Sequence, residues 1–282
     1  MSTASVQFPR IQQTARNTAS GWNRIGSQTR FYAMTIRGIW DALVYYRVEL
    51  VRLVASMSLG SGALAIIGGT IVIVAFLTFA AGSLVGIVGF NQLAQVGVEA
   101  LAGFTSAFVN TRLAAPLIAG VGLAATIGAG ATAQLGAMRI SEEIDALEVM
   151  GIRSIAYLAS TRVLAGVIVV IPLYCIAILT SYVATFLGVT FFYGQSTGVY
   201  NHYFRTFLNP MDVINSFILA IVMAIVIMLV HTYYGYNASG GPAGVGEAVG
   251  RAVRTSLVAA VMAVLLVSLA IYGQSGQFNL SG

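Results

Sequence analysis

Lysine is absent from this 282-residue chain: all 14 basic residues are arginine. The absence excludes a Walker A phosphate loop, whose lysine contacts the β- and γ-phosphates, and any enzyme that forms a Schiff base on a lysine amine. A single cysteine, Cys175, excludes an internal disulfide and a thiolate metal cluster. The two histidines, His202 and His231, have no close histidine or cysteine neighbour in sequence and do not make a metal site. Charge of either sign is scarce. Asp, Glu, Lys and Arg are 8% of the chain, against 58% hydrophobic residues and a mean hydropathy of +0.87. A soluble domain carries about 25% charged residues because its surface faces water, and the 23 charged side chains here could not cover one. The chain therefore reads as an all-α integral membrane protein, since apolar runs longer than about 20 residues make helical spans.

Five runs read as spans, at about 59–88, 113–137, 163–192, 212–234 and 253–272. The stretch 96–111 before the second is moderately apolar and reads either as an external helix or as an early part of that span. Several runs exceed the roughly 20 residues that a crossing needs, so tilt or extension beyond the bilayer is expected. Arginine sets the sidedness. Seven arginines precede the first span, the connections hold one, three, one and two in turn, and the tail holds none. Alternate segments total 12 against 2, which places the N-terminus inside and the C-terminus outside and requires an odd number of spans. The first 55 residues contain no early apolar run of the signal-peptide kind, in agreement with a cytoplasmic N-terminus.

Ahead of the first span, Ile36, Trp40, Leu43, Leu50 and Val54 recur at three-, four- or seven-residue steps, while Arg37, Asp41, Arg47 and Arg52 mostly take other faces. This predicts a helix lying in the cytoplasmic interface with its arginines on anionic headgroups. Phe191, Phe192, Tyr193, Tyr200, Tyr203, Phe204 and Phe207 gather after the third span, and Tyr233, Tyr234 and Tyr236 end the fourth. Such rings either mark the headgroup level or pack the connection, and composition leaves both open. Gly82, Gly86, Gly89, Gly120, Gly122, Gly128, Gly130 and Gly136 predict close backbone approach between spans. Gly128-Ala129-Gly130 follows no strand and does not read as a nucleotide loop.

Four of the nine acidic residues fall within 142–148. Ser141 is expected to cap a short helix there, with Glu142 and Glu143 in its first turn favoured by the helix dipole and Gly151 ending it in a left-handed conformation. Glu142, Asp145 and Glu148 form an acidic ridge; Ile144, Leu147 and Met150, with Gly151, form an adjacent apolar one. About ten residues of helix are marginal alone and must dock on something. Short membrane loops usually carry positive charge. An acidic helix with an apolar ridge therefore points to a partner protein's groove with basic lips, ahead of a solvated cap or of a carboxylate site that no histidine or cysteine completes.

At these residues the chain resembles the MlaE/YrbE family of ABC-transporter permeases. Residues 133–151 are similar to a family signature in which a span ends in A-E-[IL]-G-x-M-R and an E-[EQ]-[IL]-x-[AS]-[LM] helix follows. Arg112-Leu113-Ala114-Ala115-Pro116 is similar to its R-E-L-G-P, and Tyr234-Gly235-Tyr236-Asn237-Ala238 to its N-G-Y-x-A. Residues 244–253 are similar to its G-[IV]-[GS]-R-A-T-T-R-[AT]-V. The match covers roughly 35–273, leaving 1–34 as a cytoplasmic N-terminal segment and 274–282 as an external tail.

The resemblance implies five spans, an interfacial helix near 35–56 and a coupling helix at 141–151. Glu142, Glu143, Asp145, Leu147, Glu148, Met150 and Gly151 would engage a cytoplasmic ATPase dimer. It implies a permease subunit with no ATPase site of its own, ATP and Mg being held by that partner. The other partners would be a second permease chain, MCE-domain proteins on the outer side and a lipid moved across the envelope. The chain departs from the family pattern at Leu113, Gln134 and Glu247, at Thr126 where the family has arginine, and near Val264 where it often has an acid. Charges inside a membrane are usually functional. Their loss resembles the B-type YrbE subunit of the mycobacterial Mce transporters, which implies an asymmetric pair and uptake of fatty or mycolic acids. Arg112, and Arg251 where a family arginine survives, are the candidates for lipid headgroup contact, with an interfacial structural role the alternative for Arg112. A secondary transporter would show internal repeats and midplane ionisable residues. A membrane-embedded lipid enzyme would need a cluster for which only Asp212, His202 and Arg205 offer material.

Overall fold

The computed structural model describes residues 26–59 and 69–273. Among them there is no strand, and the helices in chain order are α1 (26–37), α2 (Ile39–Val44), α3 (Arg47–Leu59), α4 (Gly69–Gln95), α5 (Glu99–Ile140), α6 (Glu143–Val149), α7 (Ile155–Phe192), α8 (Thr197–Phe207), α9 (Pro210–Tyr236) and α10 (Gly241–Tyr272). Five of these, α4, α5, α7, α9 and α10, are long and apolar enough to cross a membrane. The expected all-α membrane architecture is present. Residues 60–68 of the first expected span, and 274–282 of the expected tail, lie outside the described residues.

Of the stretch 96–111, residues 99–111 are continuous with the second apolar run: α5 runs unbroken through 42 residues, Glu99–Ile140. The last span begins twelve residues earlier than its apolar run, at Gly241, where Gly240 at φ +91° and Pro242 in the first turn set the start. Arg162, counted as a loop arginine in the sequence, lies inside α7. Its side chain is buried and donates to the Leu158 carbonyl at 3.0 Å.

Val74, Leu123, Leu173, Tyr174, Leu219, Met223, Ile227 and Met228 form the core where α4, α5, α7 and α9 meet. Small residues allow the closest approach. A Cβ on Gly82 would come within 2.5 Å of the Ser181 carbonyl oxygen, and Thr185 Oγ1 donates to the Gly82 carbonyl at 2.6 Å, so α4 and α7 touch backbone to backbone. In their most apolar windows α5, α7 and α9 are each 50% buried, whereas α4 and α10 are 22% and 17% buried. The latter two therefore present most of their apolar surface outward.

The segment before the first span is three helices rather than one. Its apolar residues divide between two surfaces: Leu50 is buried and Val54 partly buried against α7, while Ile36, Trp40 and Leu43 are exposed with Val44, Tyr45 and Val48. Phe31 packs on Tyr233 and Tyr236, and Ser160 Oγ donates to the Thr35 carbonyl at 2.7 Å, which fastens α1 to the α6 end of the bundle. At the opposite end the aromatic group also divides. Tyr200 and Phe204 pack against Phe186 and Tyr182, while Phe191 and Phe192 stand exposed.

Candidate functional site

The loop helix α6 is seven residues long, and Ser141 does not cap it. Helix α5 stays helical to Ile140, and Ser141 turns its hydroxyl back onto that helix, 3.0 Å from the Ala137 carbonyl. Glu142 makes the reversal at φ +61°, and α6 starts without a side-chain cap. The far end is as the sequence predicts. Gly151 takes φ +78° and the Ile152 amide donates back to the Leu147 carbonyl at 3.0 Å, a glycine-ended termination.

The two ridges of α6 do not both face outward. Ile144 is fully buried and Leu147 partly buried against Leu135, Met138, Leu158 and Tyr236, so most of the apolar ridge docks on the chain itself. The outward apolar tip is Met150 with Val149, a residue the ridge pattern had not singled out; they are 65% and 89% exposed. The acidic ridge is partly committed too. Asp145 pairs with Arg139 at 2.6 Å. Glu148 Oε1 accepts from Ser154 Oγ at 2.6 Å and from Tyr236 Oη at 2.9 Å, and the two hydroxyls are 2.7 Å apart. The Ser154 hydroxyl, then that of Tyr236, holds the Glu148 carboxyl below its ordinary range. Glu142 and Glu143 remain exposed. Just beyond, Arg153 pairs with Asp41 of α2 at 2.9 Å.

A cavity of about 270 Å³ lies where α3, α4 and α5 meet, lined among others by Met57, Thr70, Ile73, Thr126, Gly130 and Gln134. Two departures from the family pattern, Thr126 and Gln134, thus stand on the cavity wall as neutral polar groups. Gly130 opens to this space: nothing lies within 4 Å of a Cβ placed on it. One turn of α5 beside the cavity, Ala124–Gly128, is wound wider than an α-helix, a distortion frequent at functional sites. The remaining departures lie elsewhere. Leu113 is exposed, Val264 is buried in the core, and Glu247 pairs with Arg251 at 3.3 Å one turn along α10.

Gly128 lies against His231, which is fully buried between three spans. Its Nδ1 is 2.7 Å from Thr132 Oγ1 of α5 and its Nε2 3.1 Å from Ser256 Oγ of α10. Histidine spacing in the sequence gave no sign of this hub, because its partners are hydroxyls on other helices.

Arg112 and Arg251 are not brought together. Arg251 stands near the start of α10 with Glu247. Arg112 lies toward the α8 end, bonded to Asp212 Oδ2 at 2.7 Å. Asp212 is thereby joined to Arg112 rather than to His202 or Arg205, and His202 faces the Tyr203 ring. The cluster that a lipid enzyme would need is not assembled.

Comparison with known proteins places this arrangement. The model of the MlaE permease family matches residues 60–270. A probable ABC transporter permease of Rickettsia felis is 27% identical over 249 residues, 87% of this chain and 95% of that protein. A probable ABC transporter permease of Synechocystis is 26% identical over 166 residues, 59% of this chain and 63% of its own length. The chloroplastic protein TRIGALACTOSYLDIACYLGLYCEROL 1 of Arabidopsis thaliana is 27% identical over 186 residues, 66% of this chain and 53% of that protein.

Proposed function

The chain belongs to the MlaE permease family, and on that premise we propose that it is the membrane subunit of an ATP-driven lipid transporter, worked by a separate ATPase that docks on α6. One observation carries the reading: α6 is clamped on its inner side and leaves the apolar tip Val149–Met150 exposed beside Glu142 and Glu143. A short helix held in this way can seat its tip in a partner's cleft and pass on that partner's movement.

ATP and Mg belong to the partner in this reading. The arginine distribution puts α6 and the N-terminus in the cytoplasm and the C-terminus outside. The cavity between α3, α4 and α5 takes the lipid. Its neutral wall, with Thr126 and Gln134 where the family has charges, suits acyl chains better than ions. The name of the Arabidopsis relative is that of a lipid, which supports the substrate class. The open apolar faces of α4 and α10 suit a second permease chain of the YrbE type. The finer reading is an Mce-type importer of fatty or mycolic acids with MCE-domain proteins at the α8 end. It rests on the departures from the family pattern at Leu113, Thr126, Gln134, Glu247 and near Val264, whose loss of charge resembles the B-type YrbE subunit of the mycobacterial Mce transporters.

The test is purification of the tagged chain from its native membrane in mild detergent, with mass spectrometry of the proteins and extracted lipids. An ATPase, a second permease chain, MCE-domain proteins and enriched acyl lipid are expected. Recovery of the chain without an ATPase in several detergents would overturn the reading.

A further inference from the structure

We propose that Glu148, Ser154 and Tyr236 form a positioning link that converts movement of α6 into movement of α7 and α9, so that Glu148 serves this link and not the ATPase surface. The proposal rests on the reading of α6 as the ATPase-docking helix. Each residue belongs to a different moving part. Glu148 is in the last turn of α6, Ser154 directly precedes the first turn of α7, and Tyr236 is the last residue of α9.

Their three oxygens lie within 2.6–2.9 Å of one another. With Glu148 ionised, the two hydroxyl protons both go to its carboxylate and the Ser154–Tyr236 approach carries none; a carboxylate acceptor makes such bonds shorter and roughly twice as strong as neutral ones. Ser154 is buried, so water does not readily replace it.

The other attachments of α6 differ in kind. Ile144 and Leu147 rest on apolar neighbours, and burial of that sort is non-directional and permits sliding. The Arg139–Asp145 pair returns to the end of α5. The Glu148–Tyr236 hydrogen bond ties α6 directionally to α9. Tyr236 in turn packs on Phe31, with ring centroids 5.4 Å apart, so the same residue carries the movement to α1.

Three variants, Tyr236→Phe, Ser154→Ala and Glu148→Gln, are compared with Val149→Asp at the tip, each in the complete complex in proteoliposomes. Readouts are ATPase co-purification, ATP hydrolysis, movement of a fluorescent sixteen-carbon fatty acid, and the nucleotide-dependent change in hydrogen exchange in α6 and at the end of α9. Tyr236→Phe is expected to keep the ATPase and its hydrolysis. Fatty acid moved per ATP should fall by at least about fivefold, the scale set by one ordinary hydrogen bond. The exchange response should persist in α6 and vanish in α9. Val149→Asp is expected to lose the ATPase. An unaltered α9 response in both Tyr236→Phe and Ser154→Ala would overturn the link, as would loss of the ATPase in Tyr236→Phe or Glu148→Gln. Absence of an ATPase from the unaltered complex would instead remove the docking reading on which the link stands. If the unaltered complex moves no fatty acid, the exchange response decides.

Discussion

Arg112 of α5 and Asp212 at the start of α9 are 100 residues apart in the chain and meet at 2.7 Å. The guanidinium carbon also lies 4.4 Å from the Phe108 ring centroid and 4.7 Å from that of Tyr272. One cation thereby joins α5, α9 and the end of α10, a structural role that competes with the headgroup contact expected of it.

Breaking one side of a partly buried pair leaves the other charge without compensation. Asp212→Ala or Arg112→Ala should each lower stability by about 2–3 kcal/mol. The double variant should cost less than the two singles together, by about 1 kcal/mol. Thermal unfolding in detergent measures this. A loss of lipid binding in Arg112→Ala with an unmoved unfolding temperature would restore the headgroup role.

Gly128 and Gly130, two residues apart, should respond in opposite ways. A Cβ on Gly128 would lie 2.7 Å from Cδ2 of His231, a ring bonded to two other helices and unable to retreat. Gly128→Ala should cost about 1–3 kcal/mol as overpacking. Gly130→Ala, which meets open space, should stay within about 0.5 kcal/mol. Equal unfolding temperatures for the two variants would contradict the packing.

Gly130→Leu carries the cavity test further. Its side chain should fill part of the roughly 270 Å³ beside Thr126 and Gln134. Co-purified lipid should fall severalfold while ATPase recovery is unchanged, because α6 begins beyond Ile140 and contributes no residue to the cavity wall. Lipid retained at the level of the unaltered chain would place the lipid elsewhere.

The state of α6 should depend on pH through Glu148, whose carboxyl is held below the ordinary value of 4.5, first by Ser154 and then by Tyr236. A lowered carboxyl contributes stability that is present above the unfolded value and lost as pH falls through the folded one. The exchange protection of residues 143–149, each rate taken against the intrinsic amide rate at that pH, should therefore be flat from neutrality to about pH 5 and fall below the ordinary glutamate range. Glu148→Gln should remove the transition. Persistence of the transition in that variant would assign it to another acid.

Much of this was legible in the residues. The five spans follow from run length, and the end of α6 follows from Gly151. Close helix packing follows from the glycines at 82, 86 and 128. The errors share a cause. Ser141 looked like a cap because the type is right, but capping depends on where α5 stops. The apolar ridge of α6 was visible, yet whether Ile144 faces a partner or its own chain depends on the position of Leu135 and Leu158. Arg162 counted as a loop residue because the apolar run starts after it, although the helix starts before it.

By itself the sequence determined the membrane class, the number of helices long and apolar enough to cross, the family and the place of the loop helix α6, since these depend on composition, period and spacing along one segment. Tertiary structure alone decided that Arg112 answers Asp212, that Glu148 accepts from Ser154 and Tyr236, and that His231 bridges Thr132 and Ser256. A helical period says which residues share a face. Which faces meet depends on the rotation, shift and crossing of packed helices, which are settled by side-chain fit across the whole bundle.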